Sequence, residues 1–342
     1  MAVTYTRRSY SNHIIAARSL QVMLGEANYI IPVFFKFPPS GIAFLRFLYY
    51  NTVSLMSKGR FFMKVRISAD STCDLSPELV EKYGITIIPL TVTCDGKSYK
   101  DGTEIDPDRL FEITEASGGT AATTAVNVQQ YLDLFGGLLK DCDEVVHFTI
   151  SSAMSACYQN ACIAAGELGN VYPVDSENLS TGIGHLVLDA CLLAEEGRSG
   201  AEIKQILDER RKKLDVSFVL STLEYLRRGG RCTTLAAMGA NLLKLHPCIV
   251  VKDGRMSVGK KYRGNIRACL VQYVKDKLAE PDTVDPKRIF ITDSGFDEET
   301  RMLVEKTVLE CVPFSEVIHT RAGCTVSCHC GPGCLGILFY RN

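Results

Sequence analysis

The 342-residue sequence has almost no excess of either charge. Its 38 Lys/Arg and 39 Asp/Glu leave a formal net charge of −1, so bulk electrostatics give no reason to expect a nucleic-acid partner. It also lacks any uninterrupted apolar run near the ~20 residues a membrane helix needs. In the most apolar part, Pro32, Lys36, Pro38, Pro39 and Arg46 break every stretch. Arg7 and Arg8 are followed by the polar "SYSNH", which is not the pattern of a secretory leader. No GxxxxGK[ST] phosphate loop is present, and no G-x-S-x-G nucleophile elbow. Cysteine is absent from residues 1–62, yet fourteen lie between Cys73 and Cys334. A secreted disulfide scaffold would be shorter and carry a leader. Most of these cysteines sit in core-like or helical surroundings, which reads as reduced thiols in a cytoplasmic protein.

An ordinary globular composition remains, with 46% hydrophobic and 23% charged residues, enough for two domains. Residues 1–62 differ from the rest. They hold seven Lys/Arg against the single acidic Glu26, and twelve of the 29 aromatics. They are expected to be a disordered extension or a mis-assigned start preceding an initiation at Met63, which intact-mass measurement of the native protein would decide. From Met63 strands and helices alternate. "KVRISADST" is a strand, "PELVEKYG" a helix capped by Asp74 or Ser76 and stopped at Gly84, and "ITIIPLTVTCDGKSY" two strand pieces with a turn at Asp95-Gly96. Helices follow at 107–117, 128–140, 180–196 and 200–213, with "EVVHFTI" and "NVYPVDS" as strands around the helix "SACYQNACIAAGEL". The alternation predicts an α/β domain over 63–217 with a mainly parallel sheet. A second, α+β domain over 218–342 contains a hairpin turning at Asp253-Gly254, helices at 265–279 and 297–310, and the closing strand "CLGILFYRN".

Ligands of parallel α/β sheets sit beyond the carboxyl ends of the strands. Three hydroxyl-rich stretches fall at such a rim: "DSTCDLS" (70–76), "TAATTAVN" (120–127) and "TISSAMSACYQ" (149–159). Hydroxyls and helix-start amides favour anions, although helix capping alone explains many such clusters. The glycines of "STGIG" (180–184) read as close packing, and those of "RRGGRC" (227–232) as a weak phosphate signal. Near the end, "SCHCGPGC" (327–334) suggests metal. With Cys324, however, its spacing is C-x3-C-x-C-x3-C, which fits neither structural zinc nor cluster ferredoxins. If the segment is extended, the one-residue gap also sends neighbouring thiols to opposite faces. The cysteines are therefore expected to be steric.

Taken in order, "ADSTCDL", "TTAVN", "ISSAMSACYQNA", "DSENLSTGIG", "STLEYLRRGGR" and "HCGPG" resemble the DegV family, from about residue 63 to the end. These are bacterial fatty-acid-binding proteins that supply acyl chains to a fatty acid kinase. The resemblance implies two α/β domains with a lipid between them, the carboxylate being held by Thr123 or Thr124, Ser152, Arg231 and His329. It further implies no catalytic residue, metal or cofactor of the chain's own, a long-chain fatty acid as ligand, a separate ATP-binding kinase subunit as partner, and transient contact with a membrane surface. The sequence departs from the family pattern at Val126-Asn127, Ala156-Cys157 and His246. The competing readings are a hydrolase or transferase using Ser152 and His329, and a thiol-metal protein.

Overall fold

The computed structural model describes residues 63–118, 120–232 and 245–342. The expected extension, 1–62, lies outside them. The first half contributes strands β1 (Val65–Asp70), β2 (Thr86–Ile88), β3 (Thr91–Cys94), β4 (Lys97–Lys100), β5 (Ala122–Thr124), β6 (Glu144–Thr149) and β7 (Val171–Asp175). β2, β1, β6 and β7 form a parallel sheet in that order, while β4, β3 and β5 form a small antiparallel one. A parallel sheet covered on both faces needs apolar residues on both, and β6 is buried at every position. The helix Pro77–Tyr83 starts with Pro77 and ends at Gly84 in the left-handed conformation, and Ser76 supplies its cap by accepting from the Leu79 N–H. Asp74 does not cap it. At the β3–β4 turn both Asp95 and Gly96 have positive φ, as a two-residue primed turn requires.

The second half adds β8 (Leu214–Leu220), β9 (Leu245–Lys252), β10 (Arg255–Arg263), β11 (Val284–Asp293), β12 (Glu316–Arg321) and β13 (Cys334–Arg341). These make one mixed sheet, ordered β10-β9-β8-β13-β11-β12. The β9–β10 hairpin turns at Asp253-Gly254 as expected, again with positive φ at both residues. The expected domain join at 217/218 falls inside β8. Helix Thr181–Glu195 packs against β1 and β6 of the parallel sheet and against β13 of the mixed sheet. It is apolar nearly all round, and every residue from Thr181 to Cys191 is buried. Its glycines do what close packing demands: a Cβ on Gly184 would lie 2.9 Å from Leu75 Cδ2 and 3.1 Å from the Cys73 carbonyl.

Three elements were not anticipated. β5 lies in the hydroxyl-rich stretch 120–127, and β12 is a half-exposed edge strand with weak alternation. The third is a helix, Cys324–Cys330, where an extended segment was considered. Its N-cap, Gly323, has no side chain to offer. The backbone donors of that first turn, which have no partner within the helix, are satisfied from the other half of the chain. Asp101 accepts from Cys324 N (2.8 Å) and Thr325 N (3.1 Å), and Asp74 accepts from Gly323 N (2.9 Å).

Candidate functional site

A cavity of about 340 Å3 opens beyond the carboxyl ends of β6 and β7 and reaches the inner face of the mixed sheet. This is the size range of small-molecule sites. Its walls are mainly apolar, with Ile150 and Met154 after β6, Leu179 after β7, Phe218 on β8 and Leu338 on β13. The Cys324–Cys330 helix closes it with one face. Thr325, Val326, His329 and Cys330 all line the space, the pattern of i, i+1, i+4 and i+5 on a helix.

Polar groups gather around His329. Its Nε2 is 3.0 Å from Thr123 Oγ1. Its Nδ1 is buried without a hydrogen-bond partner and rests on Gly229, where a Cβ would come within 2.2 Å of it. Arg231 lines the same cavity, with Nη1 donating to the Gly229 carbonyl (2.6 Å). Thr123 and Thr124 both line it as well, and only Thr123 bonds to His329 among the described contacts. Four of the five expected residues thus converge: Thr123, Thr124, Arg231 and His329.

Ser152 does not join them. The stretch after β6 is a set of turns rather than an extended rim, so Ser152 faces solvent, its backbone N–H donating to Asp175 Oδ1 (3.1 Å). Ser151 is turned toward the β9–β10 hairpin and donates to the Gly254 carbonyl (2.7 Å). Ser155 is the serine of this stretch that lines the cavity. A further hydroxyl escaped the sequence reading. Thr325 lines the cavity, is 4% exposed, and its Oγ1 has no partner. Only knowing that 324–330 is helical reveals it, because it then shares a face with His329 one turn later.

Burial, and to a lesser degree the Arg231 charge, lowers the His329 pKa to about 4. His329 is therefore a neutral imidazole at pH 7. The folded value lies below the ordinary histidine value of 6.5, so folding stability from this group is full above pH 6.5 and falls as pH drops from there towards 4. A histidine-selective NMR titration of the ligand-free protein should show His329 unchanged through pH 6.5. A midpoint at 6 or above would contradict this environment.

The geometry gives the hydrolase reading little. His329 pairs with a threonine, and no carboxylate orients its free nitrogen among the described residues. Ser68 Oγ is hydrogen-bonded to His147 Nδ1 (2.9 Å), and His147 Nε2 lies 3.4 Å from Asp70 Oδ1 without forming a hydrogen bond. All three are fully buried beneath Tyr131, whose hydroxyl donates to Asp70, so this network is structural. The four C-terminal cysteines also separate. Cys324 and Cys328, one helical turn apart, pack with Cys94, Ile105 and Leu110, whereas Cys330 and Cys334 belong to the main core and line the cavity. Among the described residues no three His, Cys, Asp or Glu side chains are placed to hold a metal. Replacing Cys328, Cys330 and Cys334 by alanine together should leave ligand affinity within a few-fold. Stoichiometric zinc or iron in the wild type, lost in that variant, would reverse the assignment.

A family model described as "Uncharacterised protein, DegV family" matches residues 64–342. The chain belongs to the DegV family. It is 33% identical over 281 residues to a DegV domain-containing protein of Clostridium acetobutylicum, covering 82% of this chain and 99% of the relative. A second DegV relative, from Caldanaerobacter subterraneus, is 31% identical over 283 residues, 81% of this chain and 98% of its own. Among solved structures, a DegV protein of Thermus thermophilus described by its fatty acid binding superposes with a TM-score of 0.75 at 30% identity, covering 82% of this chain and all of that one. A stearic acid-binding protein of Eubacterium ventriosum gives 0.71 at 26% identity, with 81% and 98% covered. The two-domain α/β architecture is that of the DegV fold. No helix among the described residues is long and apolar enough to cross a membrane.

Proposed function

We propose that this chain binds one long-chain fatty acid in the cavity and presents its carboxylate to a separate ATP-dependent fatty acid kinase. The observation that carries the reading is the cavity itself, an apolar space with Thr123, His329 and Arg231 gathered together at its wall. The fatty acid binding described for solved structures of similar fold supports it. An ionised carboxylate only accepts hydrogen bonds. Thr123, Thr124, Thr325, the imidazole and the guanidinium supply donors, with Ser155 in the place first given to Ser152. A tail of about 15 methylenes at ~0.8 kcal/mol each offers roughly 12 kcal/mol before binding costs, so the tail supplies most of the affinity and the head group the orientation. The chain works in the cytoplasm, collects its ligand by transient contact with a membrane surface, and needs no cofactor of its own.

The bound carboxylate favours imidazolium, so loading should raise the His329 pKa above its ligand-free value. Thr123→Val with His329→Ala should weaken the hold on the head group by about 1.5–3 kcal/mol per lost bond, while apolar burial keeps some lipid in place. The deciding assay supplies ATP and fatty acid with and without a fatty acid kinase. Acyl phosphate should appear only with both proteins present. Acyl phosphate without the kinase would make this chain an enzyme, and ester cleavage would restore the hydrolase reading.

A further inference from the structure

A second concavity of about 140 Å3 adjoins the cavity, lined by Ala153, Met154, Gly230, Arg231, Arg255 and Met256. Met154, Arg231 and Met256 line both spaces, so the two share a wall. Two guanidinium side chains converge on this recess, and no carboxylate is among its lining residues. Arg255 has no ion pair or side-chain hydrogen bond among the described residues, and Arg231 spends only Nη1, on the Gly229 carbonyl. Unpaired arginines are common on open surfaces, where water screens them. Arg231 and Arg255 are both exposed to water as well, but they share one recess whose other walls are methionine, alanine and glycine, and a shared anion relieves their mutual repulsion. The rim is also held in place. Ser151 Oγ donates to the Gly254 carbonyl next to Arg255, and a Cβ on Gly254 would meet that oxygen at 2.7 Å, so hairpin turn and serine loop are locked in contact. Arg255 pairs with Lys252 at the very start of β10.

We infer that this recess is a phosphate-class anion site, built by Arg231 and Arg255, beside the head group of the cavity ligand. Guanidinium recognises tetrahedral oxyanions through paired N–H donors. Arg231, standing in the shared wall and close enough to His329 to depress its pKa, faces both a carboxylate in the cavity and a phosphoryl group in the recess. The anion is a free phosphate, the phosphoryl group of a phosphorylated cavity ligand, or a lipid headgroup. The inference rests on the fatty-acid reading only for what occupies the neighbouring space.

The test titrates inorganic phosphate into the full chain by calorimetry, for the wild type, Arg255→Gln and Arg255→Lys, at constant ionic strength with sulfate-free buffer. Fatty acid occupancy of each preparation is measured in parallel. Phosphate affinity should fall about 10-fold or more in Arg255→Gln, where charge-assisted bonds are lost, and less in Arg255→Lys, while fatty acid occupancy stays the same. Equal phosphate affinity in wild type and Arg255→Gln, or no phosphate binding at all, would overturn the site. Loss of fatty acid along with phosphate would overturn it too, because Arg255 would then serve the cavity. A wild type that binds phosphate through Arg255 but carries no fatty acid would leave the site standing and remove the fatty-acid reading instead. A parallel arm compares sedimentation with phosphatidylglycerol and phosphatidylcholine vesicles. Arg255-dependent capture by the anionic vesicles assigns the site to headgroups, and equal behaviour on both assigns it to soluble phosphates.

Discussion

Asp101→Ala should destabilise the protein by about 2–6 kcal/mol and free the helix that carries His329. The carboxylate is 3% exposed and accepts three hydrogen bonds, from Ser71 Oγ, Cys324 N and Thr325 N. Alanine strands both amides in the interior, and each unsatisfied buried group costs about 1–3 kcal/mol. No local cap takes over, because Gly323 has no side chain and the chain before it is strand. Asp74 holds one more donor, Gly323 N, and also takes the Ser180 hydroxyl at 2.5 Å. Burial pushes the Asp74 pKa up to about 8, with Asp101's neighbouring charge a smaller contribution. Since the folded value lies above the ordinary aspartate value of 3.8, the stability from this group is greatest at low pH and declines as pH rises from about 4 to 8. Urea unfolding of Asp101→Ala at neutral pH measures the effect. A loss under about 1 kcal/mol would mean that the remote carboxylate is not what caps the helix.

Val326→Trp should empty the cavity of lipid without unfolding the protein. Val326 is half-buried on the cavity face of the same helix. An indole placed there enters existing space rather than an already filled core, so overpacking strain stays small. Displacing about four methylenes at ~0.8 kcal/mol each removes roughly 3 kcal/mol of apolar burial, on the order of a 100-fold loss in affinity. Competition with a fluorescent fatty acid reads the loss, and the melting temperature should hold or rise. Undiminished fatty acid affinity would place the acyl chain elsewhere.

Strands and helices with local signals were legible in the sequence. Ser76, Pro77 and Gly84 bracket one helix, and Asp95-Gly96 and Asp253-Gly254 set two hairpins through backbone conformations that other residues resist. The unforeseen elements are those whose stabilising partners are far away in sequence. The Cys324–Cys330 helix is capped by carboxylates more than 220 residues earlier, and Thr325 became visible only with that helix. The site followed the same division. His329 and Arg231 stand in motif stretches, and both line the cavity. Ser152 does not line the cavity, and three serines within five residues are indistinguishable until the turns after β6 send Ser151 to the hairpin, Ser152 to solvent and Ser155 to the cavity. Arg255 gave no signal, since one arginine after a turn looks like any solvated side chain.

Denaturing the purified protein and weighing what it releases shows whether the cavity carries a fatty acid. Mass spectrometry should find long-chain fatty acid, near one molecule per chain in wild type and strongly depleted in Val326→Trp. A wild-type preparation that releases no fatty acid and takes up none when it is offered, or that yields a different class of ligand in that stoichiometry, would contradict the account.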